Sequence, residues 1–118
     1  MSQPDEIRAR TKQFAIRIVR LFKALPRSAE AQIIGKQLLR SGTSVGANYR
    51  AVCRARSKPE FIARIGIVAE EADETTFWLE LMGETGILDP KRLEDILQEA
   101  RELASIFSAS QKTAKGNR

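Results

Sequence analysis

The fold depends on how residues 38–48 are interpreted, and they read Leu-Leu-Arg-Ser-Gly-Thr-Ser-Val-Gly-Ala-Asn. Serine, threonine and glycine make this stretch typical of a loop by composition. Its periodicity indicates a helix instead, because the residues of one face recur at alternating spacings of four and three straight through it. Those residues are Ile34, Leu38, Ser41, Val45, Asn48, Val52 and Ala55. A loop would not preserve that phase, so we predict one long helix over residues 28–56, weakened or kinked between Gly42 and Gly46.

Three further helices are indicated by apolar stripes at helical spacing. They span residues 5–25, 57–86 and 89–110. Pro26 ends the first of them, since the residue before a proline avoids helical angles. A capping box, Ser-Lys-Pro-Glu, begins the helix that starts at residue 57. From about residue 111 the side chains are small and polar, and we expect a short disordered C-terminal tail.

The connections between these helices are very short, which forces neighbouring helices to run antiparallel. The stripes are close to a period of 3.5 residues, which favours packing at small angles. We therefore predict an all-α fold, an antiparallel up-down-up-down four-helix bundle. No internal repeat or second domain is visible, so the bundle is expected to form a single domain over residues 1–118.

The composition excludes several classes of protein. The single cysteine, Cys53, rules out an intrachain disulfide and fits a reducing compartment. Because the chain has no histidine, it can build neither the common zinc sites nor a Ser-His or Cys-His nucleophile pair. No apolar run is long enough to span a membrane, and the polar N-terminus is not a signal peptide. We therefore expect a cytoplasmic protein that is not an enzyme, with no metal, no cofactor and no membrane partner.

Charge is distributed unevenly along the chain, although the net charge is only +5. Residues 1–66 contain 14 Lys/Arg and 4 Asp/Glu, a balance of +10, whereas residues 67–118 contain 6 and 11, a balance of −5. A basic half indicates a surface that binds phosphates, to which arginine makes forked contacts. It can equally indicate a solvated face, or basic helices that pair with acidic ones within or between subunits. The candidate nucleic-acid-binding residues are Arg10, Arg17, Arg20, Lys36, Arg40, Arg50, Arg54 and Arg56.

Polar residues also occupy positions where the helix register favours apolar ones. Ser41 and Asn48 lie in the core register of the second helix, and buried polar groups need partners. They either orient a ligand or bond to a neighbouring helix or subunit and fix the register, and we favour the second interpretation. Glu71 and Glu74 face one side of the third helix. Without histidine they do not fit the Glu-x-x-His pattern of di-metal bundles, and we expect them to pair with arginines of the second helix.

Residues 37–49, Gln-Leu-Leu-Arg-Ser-Gly-Thr-Ser-Val-Gly-Ala-Asn-Tyr, resemble the signature of a family of bacterial four-helix bundle proteins. Its members include proteins encoded in intervening sequences of 23S ribosomal RNA genes, also called S23 ribosomal proteins. Residues 22–26, 53–61 and 71–81 add to the likeness, which covers roughly residues 10–110. The signature residues that carry over are Arg40, Ser41, Ser44, Asn48, Arg54, Glu71 and Glu74.

The resemblance implies that up-down bundles assemble into a homopentameric ring. The chain is also similar to the accessory protein of diversity-generating retroelements, a basic pentamer that binds nucleic acid and a reverse transcriptase. Family members commonly read Asn-Tyr-Arg-Glu-Ala where residues 48–52 here read Asn-Tyr-Arg-Ala-Val, so a glutamate is missing at Ala51 and the local field is more positive. We therefore expect a homo-oligomer, a pentamer, that binds RNA or DNA as an accessory protein. The alternative is a structural or protein-interaction module with no nucleic-acid ligand.

Overall fold

The computed structural model describes residues 2–116, most of which lie in α-helices. The helices are α1 (Gln3–Lys23), α2 (Ala29–Cys53), α3 (Lys58–Glu84) and α4 (Pro90–Gly116). Residues 2–116 contain no β-strand. The predicted all-α class and the number of helices are therefore confirmed.

Helix α2 runs without a break through the stretch that resembles a loop by composition. The polar side chains of this stretch are satisfied inside the helix itself, which is how a Ser/Thr-rich segment can remain helical. The Thr43 hydroxyl donates to the Leu39 carbonyl at 2.7 Å, and the Ser44 hydroxyl donates to the Arg40 carbonyl at 2.6 Å. The periodicity therefore predicted the secondary structure correctly where composition did not.

The glycines of α2 face α1 and let the two helices come close together. A Cβ atom at Gly42 would lie 2.8 Å from Cγ1 of Ile18, whose side chain is fully buried. A Cβ atom at Gly46 would lie 3.2 Å from the backbone carbonyl oxygen of Thr11. These two positions therefore serve helix packing, although glycine costs about 1 kcal/mol of helix propensity relative to alanine.

The helix ends follow local chemistry. The side chains of Ser2, Ser28 and Ser57 cap α1, α2 and α3 by accepting hydrogen bonds from backbone N–H groups. After α3 the chain turns at Gly86, which has a φ of 76°. This left-handed conformation is one that glycine adopts without strain.

Two predicted boundaries were wrong. Helix α2 ends at Cys53 rather than at residue 56, because residues 54–56 are needed to reverse the chain before Ser57 adopts the extended conformation of a cap. Helix α4 continues to Gly116, so the expected disordered tail from about 111 is helical as far as the described residues extend. The Gln111 side chain donates to the Ile62 carbonyl of α3 at 3.2 Å, and this contact holds the end of α4 against the bundle.

The core lies between the four helices of a bundle that measures 48 × 24 × 21 Å. Each helix packs along the next one in the chain, and α4 returns to α1 through a smaller contact. This arrangement agrees with the predicted up-down topology. The largest fully buried side chains come from all four helices and include Phe14, Ile18, Leu38, Ile65, Leu79, Met82, Leu103 and Phe107.

Candidate nucleic-acid interface

A basic groove runs along the surface between α1 and α2. Its volume is about 380 Å³. Its charged lining is supplied by Arg8 and Lys12 of α1, Arg50 of α2, and Arg54, which directly follows the end of α2. The rest of the lining is small: Ala15, Thr43, Gly46 and Ala47. We call this surface the α1–α2 groove; an adjoining hollow of about 560 Å³ shares its four cations and extends it towards Ala9 and Cys53.

Helical spacing explains why the four cations meet. Arg8 and Lys12 are four residues apart and lie on one side of α1. Arg50 lies in the last turn of α2 and Arg54 caps the end of that helix, and both line the groove. The two helices approach closely at Gly46, which has no side chain to separate them. Each helix therefore contributes one basic edge, and a shallow floor of small residues lies between the edges.

The charge in the groove is largely uncompensated. Within residues 2–116, Lys12, Arg50 and Arg54 form no ion pair, and no carboxylate belongs to the lining. Arg8 bonds to the exposed Asp5 one turn earlier in α1. Surface ion pairs of this kind are weak, with a median near 0–1 kcal/mol, so a phosphate could displace Asp5. The α1–α2 groove is thus suited chemically to an anion with several phosphates.

Only two of the four groove cations, Arg50 and Arg54, belong to the set that the sequence singled out. Arg8 and Lys12 were missed, although a signal for them was present. Each pair is spaced i, i+4, and the α2 pair follows closely after the small residues Gly46 and Ala47. This pattern consists of two basic pairs on consecutive antiparallel helices, one of them beside a stretch of small residues. It would have predicted a basic groove between the two helices.

Arg10 lies on the other side of α1, against α4. Its guanidinium donates to both carboxylate oxygens of Glu99 at 2.7 Å and to Glu102 at 3.0 Å. The hydrogen bond from Arg10 holds the pKa of Glu99 below its ordinary value, and the bond to Glu99 raises the pKa of Arg10. Arg10 therefore closes the seam between α1 and α4, and its charge is matched by carboxylates.

Arg40 is paired in the same way across α2 and α3. It bonds to Glu71 at 3.2 Å and also to Glu74, which accepts a further hydrogen bond at 2.9 Å from the indole Nε1 of Trp78. This confirms the prediction that Glu71 and Glu74 pair with an arginine of the second helix. One of the predicted binding residues therefore helps to hold α2 against α3.

The remaining predicted cations are dispersed rather than gathered. Arg17 is half-buried on α1, and its charge contributes to the low pKa of Glu99, so it lies towards α4. Arg20, Lys36 and Arg56 are exposed and do not line the α1–α2 groove. The structure therefore brings two of the eight predicted residues together with two others, and it places the remaining six elsewhere.

The polar positions of the α2 core register have different surroundings. Ser41 is fully buried, and its hydroxyl accepts a hydrogen bond from the Thr75 hydroxyl of α3 at 3.0 Å. It also donates to the Leu38 carbonyl at 3.4 Å. The interpretation that Ser41 bonds to a neighbouring helix is confirmed. Asn48 is half-buried, and within residues 2–116 its side chain makes no hydrogen bond, so its role stays a prediction.

Within residues 2–116, no three His, Cys, Asp or Glu side chains are grouped so that they could hold a metal ion. None of the four helices combines the length and the apolar character that crossing a membrane requires.

Comparisons with known proteins agree with the fold and the signature. The model of the 23S rRNA-intervening sequence protein family matches residues 5–109. Among solved structures, the chain is similar to a protein of unknown function from the S23 ribosomal protein family of Bacteroides thetaiotaomicron VPI-5482, with 34% sequence identity and a TM-score of 0.85. That likeness covers 94% of this chain and 99% of the other. No curated protein matches the chain.

Proposed function

The chain belongs to the family of 23S rRNA-intervening sequence proteins, and we propose that it is a non-enzymatic protein that binds nucleic acid through the α1–α2 groove. One observation supports this function above the others. Four cations line a single groove, and three of them have no ion-pair partner among residues 2–116. Arg10 and Arg40, by contrast, are paired with carboxylates of neighbouring helices, and Arg20 and Arg56 are exposed outside the groove.

The number of cations in the groove determines how steeply the affinity for nucleic acid should fall as the salt concentration rises. A protein that neutralises Z phosphates of a duplex releases counterions, and the logarithm of its affinity falls with the logarithm of salt concentration at a slope near −0.9Z. If each of the four cations meets one phosphate, the slope is about −3.6 for a duplex and about −2.8 for a single strand. Between about 50 and 200 mM salt, duplex affinity then falls about 150-fold and single-strand affinity about 50-fold.

A salt series tests this function. Short RNA and DNA, single-stranded and duplex, are labelled, and their dissociation constants are measured by fluorescence anisotropy. The control is an unrelated helical protein of the same size and net charge. We expect tighter binding than the control and a slope close to the values above. Affinity that equals the control, or that does not change with salt, would contradict the proposal.

A second property, self-association, is favoured by exposed apolar side chains. Among residues 2–116, three of the four exposed large apolar residues lie on the adjacent helices α2 and α3: Ile33 is 66% exposed, Ile67 49% and Phe77 53%. Homodimer interfaces are more apolar than the rest of a protein surface, and phenylalanine is among the residues enriched in interfaces. We propose that the chain forms a homo-oligomer, a pentamer, in which these side chains become buried. Light scattering tests the assembly, because a mass of 13.2 kDa would contradict it and five times that value would support it.

A further inference from the structure

Within the proposed function, on which this inference rests, we infer that the α1–α2 groove holds the sugar–phosphate backbone of a nucleic-acid strand and leaves the bases outside. The ligand class is thus a phosphodiester chain without regard to base sequence. The lining of the groove offers hydrogen-bond donors for phosphates and no side chain that would read or stack a base.

The polar groups of the groove are matched to acceptor-only ligands. Its four charged side chains are donors without acceptor capacity. The one other polar group is the Thr43 hydroxyl, and its proton is donated to the Leu39 carbonyl at 2.7 Å. Phosphate oxygens accept hydrogen bonds and donate none, whereas base edges present donors and acceptors together. A lining that has no carboxylate and no amide therefore favours the backbone.

The groove also has no platform on which a base could stack. Proteins that bind single strands through their bases use exposed aromatic rings. No aromatic residue lines the groove. The one aromatic side chain of α2, Tyr49, is only 8% exposed, and its ring packs in the core with its centroid 5.5 Å from that of Phe107. Stacking is thus absent from the face that carries the charge.

The shape of the groove suits a chain of phosphates. Arg8 and Lys12 are separated by four residues of α1, or about 6 Å along the helix axis at a rise of 1.5 Å per residue. Both edges are basic, so successive phosphates can be contacted from either side. The floor between them stays low because Gly46 and Ala47 place little or nothing above the α2 backbone.

Ala47 offers a direct test, because it is exposed on the floor of the groove. Ala47→Glu places a carboxylate among the four cations, and Ala47→Gln places a side chain of the same size without charge. Ala109→Glu, on an exposed position of α4, makes the same change in net charge outside the groove. We expect Ala47→Glu to weaken binding of a single strand about tenfold relative to Ala47→Gln, because like charges repel at short range. Ala109→Glu should stay within about twofold of the wild type, because position 109 is exposed and does not line the groove, and charges at exposed positions are screened by salt.

The same proteins are then tested with homopolymers of adenine, thymine and cytosine. Dissociation constants within about threefold of one another are expected, since discrimination by a bidentate base contact is worth about 1–3 kcal/mol and would exceed this range. Tripolyphosphate is added as a competitor at equal phosphate concentration, and it should displace the strand poorly because it spans fewer of the four cations.

The outcomes separate this inference from the proposed function. Absence of any salt-dependent binding would contradict nucleic-acid binding itself. Binding that is salt-dependent but equally affected by Ala47→Glu and Ala109→Glu would leave nucleic-acid binding standing and overturn the α1–α2 groove as its site. A strong preference for one homopolymer would overturn backbone recognition. Efficient displacement by tripolyphosphate would show that the groove takes free polyphosphate rather than a strand.

Discussion

Replacing Gly42 by alanine tests whether close packing, rather than flexibility, explains the glycines of α2. Alanine raises helix propensity by about 1 kcal/mol in an interior position. The added methyl group, however, would lie 2.8 Å from Cγ1 and 3.0 Å from Cγ2 of Ile18, a side chain with no exposed surface. Over-packing of a core typically costs 1–3 kcal/mol. The clash should therefore outweigh the gain, and the free energy of unfolding should fall by about 1 kcal/mol.

Urea unfolding measures this change, with the protein concentration held constant because an oligomer's stability depends on it. With a slope of about 2 kcal/mol per molar urea, the midpoint should fall by about 0.5 M. The matched control is Gly83→Ala on α3, where a Cβ atom meets nothing closer than Leu93 Cδ1 at 3.5 Å. That variant should gain between a few tenths and about 1 kcal/mol. If Gly42→Ala were as stabilising as Gly83→Ala, the packing explanation for α2 would be wrong.

Two further predictions concern charge. Arg50→Gln combined with Arg54→Gln removes half of the groove cations, so the salt slope on a duplex should change from about −3.6 to about −1.8, measured by anisotropy. Glu99→Gln breaks the pairing with Arg10 and should lower the free energy of unfolding at pH 7 by about 1 kcal/mol. The pKa of Glu99 is lowered in the folded protein, so this stabilisation is present above the ordinary glutamate pKa and is lost as pH falls through the folded value. The gap between wild type and Glu99→Gln should therefore close in acid, as urea midpoints across pH will show.

Controls for both predictions lie within the chain. Lys91→Gln combined with Arg92→Gln removes the same charge from exposed positions of α4 outside the groove, and the slope should stay near that of the wild type. An equal reduction would show that the net charge, and not the groove, sets the salt dependence. For Glu99, a stability gap that persists unchanged at pH 3 would contradict the assigned ion pair with Arg10.

The secondary structure could be predicted from the sequence because helical periodicity records which face of each helix is buried. Ser41 and Val45 continue the helical spacing of the apolar face, which is why α2 was predicted as one continuous helix. Both residues are buried in the core. The end of α4 could not be predicted in this way. Its last turns are held by single contacts such as that of Gln111 with Ile62, and a polar residue that bonds across to another helix looks the same in sequence as a solvated one.

The site was harder to predict because an apolar stripe shows which face of a helix is buried but not which helix packs on the left or the right of that face. Arg8, Arg10 and Lys12 all lie within two turns of α1. Arg10 turns towards the carboxylates of α4, whereas Arg8 and Lys12 turn towards α2. That difference depends on the handedness with which the helices are arranged around the core, which short connections and stripes leave open. The types of residue in the site were therefore predictable, but their grouping was not.

The alanine at position 51 gives a last test, since the family resemblance of the sequence implies a glutamate where this chain has Ala51. On a helix, position 51 is three residues before Arg54, at a spacing that allows an ion pair. Ala51→Glu should therefore occupy one groove cation and reduce the duplex salt slope by about 0.9, with weaker binding at low salt. Ala51→Gln is the uncharged control and should retain the slope of the wild type. If both variants bound alike, a glutamate here would not tune the groove, and the more positive field of this chain would have no bearing on its affinity.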